Sequence, residues 1–201
     1  MDSYFDFVDL PILKASEFVP YSGELELVAI LNKIGCHFKI NEQNQVVSII
    51  ALANQFTDRH VATLANLPWL RELKIVSAKQ CDGISKSGVS KLFESTKLIS
   101  LQLMGLTSID TQAIELCFAC KSLIFLEVNG CAVAELNSIS SVHSQLQYLR
   151  LAFCDVSCHS IEFLSSLKTL KRLHLLGTNM FKDDRDKLAK LLPDCTIVLD
   201  K

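Results

Sequence analysis

Leu123-Ile124-Phe125-Leu126-Glu127-Val128-Asn129-Gly130-Cys131-Ala132-Val133 carries apolar residues at its first, fourth, sixth and last positions and a cysteine at its ninth. One unit later the spacing returns as Leu146, Leu149, Leu151, Cys154 and Val156. Leu126 and Val128, like Leu149 and Leu151, alternate with their neighbours, the period of a strand buried on one face. One such strand cannot bury its apolar face alone. Copies at a fixed interval must therefore stack and share an interior.

Working outward, the units start at Val46, Leu70, Leu98, Leu123, Leu146 and Leu170, at intervals of 24, 28, 25, 23 and 24 residues. Their paired strand residues are Ile49/Ala51, Leu73/Ile75, Leu101/Leu103, Leu126/Val128, Leu149/Leu151 and Leu173/Leu175. The unit from Leu98 has one extra residue before Ile109, and the unit from Leu70 has a polar insert, Ser77–Ser85. Each strand leads to a helical segment with its own start residue. Asp58 precedes Val61 and Leu64, Ser85 precedes Val89 and Leu92, and Asp110 precedes Ile114 and Cys117. Ser157 precedes Ile161 and Leu164, and Asp183 precedes Leu188 and Leu191. Short oxygen side chains satisfy the first N–H groups of a helix, and apolar residues three or four apart give it one buried stripe. The exception comes after Val133, where Leu136, Ile139 and Val142 stand among serines and read as a short or 3-10-like turn. Pro193 ends the last helix, and Cys195–Leu199 reads as a closing strand.

Before the repeats, Glu24–Ile34 reads as a helix ended by Gly35, Cys36–Ile40 as a strand and Asn41–Asn44 as a turn. Residues 23–45 are therefore expected to cap a repeat domain spanning 46–201. Residues 1–22 hold Tyr4, Phe5, Phe7, Phe18 and two prolines without a period. They read as an arm, packed across the first coil or only partly ordered until a partner binds.

From about Gly23 onward the chain resembles the leucine-rich-repeat superfamily, especially its cysteine-containing branch. Cys120-x-x-Leu123-x-x-Leu126-x-Val128-x-x-Cys131 carries both cysteines of that branch's pattern. The turn after the strand is matched by Phe56-Thr57-Asp58 and degraded at Ile109-Asp110 and Val156-Ser157. The chain looks similar to bacterial and F-box-associated proteins of this kind. The resemblance implies a right-handed α/β solenoid shaped as a horseshoe, with parallel strands on the concave face and short helices on the convex face. It also implies a curved scaffold that binds other macromolecules.

Composition narrows the function. The chain is 49% hydrophobic and 21% charged, with a net charge of -2 and a pI near 6.2, so no global basic field argues for nucleic acid. Charge is uneven. Residues 1–45 hold seven acidic side chains against three basic ones, and 146–192 hold eight basic against five acidic. That asymmetry favours an acidic partner at the C-terminal half. Asp2, Asp6 and Asp9 stand where a signal peptide needs positive charge, and no run approaches the roughly 20 apolar residues of a membrane span. Eight cysteines without a secretory signal point to reduced thiols in the cytoplasm.

Among those cysteines, Cys131 and Cys154 share a repeat position with Asn54 and Thr178. A small polar side chain there is expected to turn inward and bond the neighbouring coil's backbone. Cys117-x-x-Cys120 could be read as a redox pair, but such a pair needs its first thiol exposed at a helix start, and Cys117 falls on an apolar stripe. Cys154, Cys158 and His159 could be read as part of a zinc site, but zinc wants a second matching pair. No nucleophile elbow, phosphate loop or H-E-x-x-H stretch is present, and His37, His60, His143, His159 and His174 are scattered. Neither catalytic residues nor a cofactor is expected.

The binding residues come from strand alternation. Open-face columns run Ser48, Glu72, Ser100, Phe125, Tyr148, Arg172 and then Ile50, Lys74, Gln102, Glu127, Arg150, His174. With strands about 4.8 Å apart, Phe125, Tyr148, Arg150, Phe153, Arg172 and His174 are expected to form one aromatic–basic patch. The expected function is a non-catalytic protein-interaction module or adaptor. The alternatives are the substrate-recognition part of a ubiquitin-ligase complex, for which residues 1–45 lack an F-box-like helical pattern, and a thiol-redox or zinc protein.

Overall fold

Why strands and helices alternate here is explained by the two periods in the sequence, and the structure keeps both. The structure is a computed structural model and describes residues 24–81, 83–136 and 145–200. It begins with α1 (Leu25–Lys33) and β1 (His37–Ile40). β2 (Val46–Leu52), α2 (Asp58–Leu64), β3 (Glu72–Cys81), α3 (Lys86–Ser95), β4 (Ser100–Leu106) and α4 (Thr111–Ala119) come next. The second half holds β5 (Phe125–Asn129), β6 (Tyr148–Ala152), α5 (Ile161–Ser166), β7 (Arg172–Leu176), α6 (Lys182–Leu191) and β8 (Thr196–Asp200). A 3-10 turn, Cys158–Ser160, leads into α5.

The eight strands make one sheet in chain order. β2 to β8 pair in parallel, and β1 pairs with β2 antiparallel. The sheet is therefore mixed rather than wholly parallel. The link from Ile40 to Val46 is far shorter than the dozen residues that a parallel crossover needs. Instead Asn41 Oδ1 accepts from the Gln43 and Gln45 N–H groups at 3.0 Å each and closes a hairpin.

Register is kept from β2 to β8. Ile49, Leu73, Leu101, Leu126, Leu149 and Leu173 stand directly opposite one another, as do Ala51, Ile75, Leu103, Val128, Leu151 and Leu175. All twelve are buried, and they share one core with Val61, Leu64, Leu92, Ile114, Leu164 and Leu188 from the helices. Burying a leucine or isoleucine contributes about 1.5–3 kcal/mol. Each unit brings two buried strand residues, at least one of them a leucine or isoleucine, so the stacking itself holds the sheet. Ile197 and Leu199 continue these columns on β8 and are only half-buried.

The helix starts match the predicted residues in part. Ser85, Asp110 and Ser157 are N-caps whose side chains accept N–H groups of the turns that they open. α2 is entered at Thr57, one residue before Asp58, and the Thr57 N–H donates to His60 Nδ1 at 3.1 Å. Burial, and then the nearby Arg59 charge, hold the His60 imidazole below its ordinary pKa, in keeping with an acceptor nitrogen. α6 starts at Lys182, ahead of Asp183, because the Asp184 carboxylate accepts the Phe181 N–H at 3.0 Å. The polar insert after Leu73 is not a loop throughout. β3 runs on to Cys81, which pairs with Leu106 after a register shift. The predicted arm at 1–22, the serine-rich residues 137–144 and His143 lie outside the described residues.

Candidate functional site

On each strand the residues between the buried columns face away from the helices and form the open face of the sheet. The two predicted columns are continuous in register. Ser100, Phe125, Tyr148, Arg172 and Thr196 stand side by side, and so do Gln102, Glu127, Arg150, His174 and Val198. A third column runs Met104, Asn129, Ala152, Leu176 and Asp200.

Phe125 and Tyr148 are directly opposite, and their rings stack with centroids 4.5 Å apart and planes 8° off parallel. A cross-strand aromatic pair of this kind contributes about 0.5–1.5 kcal/mol beyond the area it buries. Arg172 continues the row and is exposed. In the next row Arg150 lies 3.5 Å from Glu127, with side-chain exposures of 29% and 12%. The Arg150 Nε is buried without a hydrogen-bond partner among the described residues. His174 Nε2 lies 2.8 Å from Asp200 Oδ2. Phe153 stands apart from the other five, one residue beyond the end of β6 and, at about 3.3 Å per residue, some 16 Å along the strand from Tyr148. The face thus has an aromatic–arginine row at one end of the strands and a single exposed phenylalanine at the other.

Glu127 and Asp200 were not among the predicted contact residues, yet they orient Arg150 and His174. Glu127 was legible, since it stands in the predicted column beside Arg150. Asp200 was not, because it lies one residue past the expected closing strand Cys195–Leu199, whereas β8 runs on to include it.

The thiols serve the interior. Cys131 Sγ lies 3.6 Å from the Leu103 carbonyl oxygen and 3.6 Å from that of Asn129. Cys154 Sγ lies 3.9 Å from Val128 O and 3.4 Å from Ala152 O. Both reach back to the same place on the preceding strand, since Leu103 pairs with Val128 and Val128 with Leu151. Burial pushes the Cys154 thiol up to about 12 and the Cys131 thiol upward, so both stay protonated donors. Asn54 does not do as they do. It is exposed, and Ala53 fills the interior because the turn there closes early, with the Gln55 and Phe56 N–H groups both donating to Leu52 O. Thr178 turns its Oγ1 inward, where it finds no partner among the described residues.

Substitution at Cys131 separates a polar contact from mere filling. Cys131→Leu should lower stability by about 1–3 kcal/mol through overpacking. Cys131→Asn should cost less, because its amide can still donate to Leu103 O. Urea unfolding curves that fall equally would remove the contact from the account.

The other cysteine groupings lack a metal or redox geometry. Cys117 is buried inside α4 with its Sγ on Ala113 O at 3.7 Å, and burial drives its pKa well upward. Its neighbour Cys120 sits at the end of that helix beside Ser122 Oγ at 3.3 Å. Cys158 is exposed, while His159 joins a different network. There Glu135 accepts from Ser157 and, at 2.9 Å, from Ser160, with His159 Nδ1 3.5 Å away. Burial works to raise the Glu135 carboxyl, but the serine hydrogen bonds outweigh it and hold the group below its usual range. The Ser160 hydroxyl, fully buried, also accepts the Leu136 N–H at 2.9 Å, so the network ties one coil to the next. Among the described residues no group of three His, Cys, Asp or Glu side chains could hold a metal ion. No described helix is long and apolar enough to cross a membrane.

Fold and face together define an α/β repeat protein with one open sheet surface. No protein-family model and no curated protein matches the chain. Solved structures do. The crystal structure of PEPR1–AtPEP1 is similar at 13% identity over 82% of this chain, with a TM-score of 0.39. The leucine-rich-repeat ectodomain of the receptor kinase SOBIR1 from Arabidopsis thaliana is similar at 11% identity over 91% of this chain and 93% of its own, with a TM-score of 0.31. The chain spans about a quarter of the PEPR1 chain it matches, 26%. It is the register and contacts of this chain itself that bear on its function.

Proposed function

We propose that the chain is a leucine-rich-repeat solenoid that works as a non-catalytic interaction module, an adaptor taking an acidic protein partner on its open sheet face. In this reading residues 23–45 cap the stack, 46–201 form the repeat domain, 1–22 are an N-terminal arm, and the protein works in the cytoplasm. The carrying observation is the row of the stacked Phe125–Tyr148 pair and exposed Arg172, next to an Arg150 whose Nε lacks a partner among the described residues. Rigid aromatics beside arginine supply large contact area and charge-assisted hydrogen bonds, the usual anchors of an interface.

Arg172→Glu tests this cleanly, because the close contacts between charged or titratable side chains of the face among the described residues are Glu127–Arg150 and His174–Asp200 and do not include Arg172. Proteins captured by the wild-type chain from its native lysate should be lost from the variant, with the melting temperature unchanged. Retention of the same proteins would refute the reading. Tyr148→Ala is a poorer probe, since it also breaks the stacked pair.

A further inference from the structure

The residue that follows the column Met104, Asn129, Ala152, Leu176 turns the same way in four successive units. Gly105, Gly130 and Gly177 have φ of 71°, 59° and 56°, and Phe153 holds the equivalent place with φ 51°. A left-handed backbone suits glycine, whereas a bulky side chain there crowds the following carbonyl. The fold thus presents a glycine position, and the sequence fills it with phenylalanine. The core gains nothing from this, for Phe153 is 61% exposed. The ring is nonetheless seated. It lies against Gly177, where an added Cβ would stand 2.7 Å from the Phe153 Cδ1. Strain kept on an exposed aromatic, without a stabilising burial, marks a position held for binding.

The surroundings indicate what it binds. Half-exposed Leu176 flanks the ring's seat at one end of β7, and exposed Arg172, outside the Glu127–Arg150 and His174–Asp200 contacts of the face, stands at the other. About 13 Å separates Arg172 from Leu176, four residues at roughly 3.3 Å each. An extended peptide covers that span with four residues of its own.

We infer that Phe153 is a partner-contacting anchor, and that the segment it takes is an extended acidic peptide with an apolar side chain on Phe153 and a carboxylate on Arg172. The inference rests on the open-face reading and narrows it. The test is selection of short random peptides displayed on phage against the whole immobilised chain. Enriched peptides should pair an acidic with an apolar residue about four positions apart. A synthetic copy should bind Phe153→Gly roughly tenfold or more weakly than wild type. Phe153→Gly should also melt at or above the wild-type temperature, since glycine relieves the strain. A basic consensus, no enrichment, or a lower melting temperature would overturn the inference. If Arg172→Glu loses the peptide while Phe153→Gly keeps it, the anchor fails and the open-face reading stands. If both variants keep it, both readings fail.

Discussion

Gly105→Ala should destabilise the protein by about 3 kcal/mol, with a clear fall in the urea midpoint and an unchanged slope. Two costs add at this position. The backbone is left-handed at φ 71°, which costs an alanine roughly 1–2 kcal/mol. A Cβ would also stand 2.8 Å from the Ser77 carbonyl oxygen on the neighbouring coil, an atom that cannot move without disturbing β3. Gly130 is the internal control. Its φ of 59° is similar, but the nearest atom to an added Cβ is the Gly105 Cα at 4.0 Å. Gly130→Ala should therefore cost only the conformational part, roughly 1–2 kcal/mol. Equal losses at the two sites would mean that coil-to-coil crowding contributes nothing. A small loss at both would mean that the left-handed turn relaxes on substitution.

Those glycines also show why some features were legible in the sequence and others were not. The columns Leu101, Leu126, Leu149 and Leu173 could be placed because the strand period is two and the unit interval nearly constant, which fixes both face and register. The caps Ser85 and Asp110 were legible because few side chains accept helical N–H groups. Asn54 departs from its expected inward place. Its position in the unit matches that of Cys131, but the orientation depends on where the turn closes, which the spacing alone does not set. The antiparallel β1 results from a linker too short to cross over, and the turn at Asn41 already pointed to it. Least legible was the candidate site. Six residues were expected in one patch, and Phe153 lies beyond the far end of β6 because strand length separates it from Tyr148. Its strained backbone has no signal in a single sequence other than the glycines at the same place in neighbouring units. The pairing of His174 with Asp200 depends on β8 joining the sheet, a tertiary fact.

The helical layer allows a sharper test of coil-to-coil coupling, because one glycine there should reverse the sign of its effect. Asp58, the first residue of α2, accepts the Ser85 N–H at 2.8 Å and the Ser85 hydroxyl at 2.5 Å, fixing the residue that caps α3. A Cβ on Gly88 in the first turn of α3 would overlap the same carboxylate. Gly88→Ala must push that carboxylate aside and strip Ser85 of both bonds. Losing this part-exposed pair of bonds to a charged group costs about 1.5–3 kcal/mol, while alanine returns about 1 kcal/mol of helix propensity, so the net loss should be about 0.5–2 kcal/mol. In an Asp58→Ala background the carboxylate is already gone and only the propensity remains. There Gly88→Ala should stabilise by up to about 1 kcal/mol. The cycle closes on a coupling of about 2 kcal/mol, well above the few tenths expected of independent sites. Additive losses in urea titrations of the four proteins would show that α2 and α3 do not share this carboxylate in solution. A reversed sign would show that adjacent coils are joined by specific polar contacts as well as by the common leucine interior.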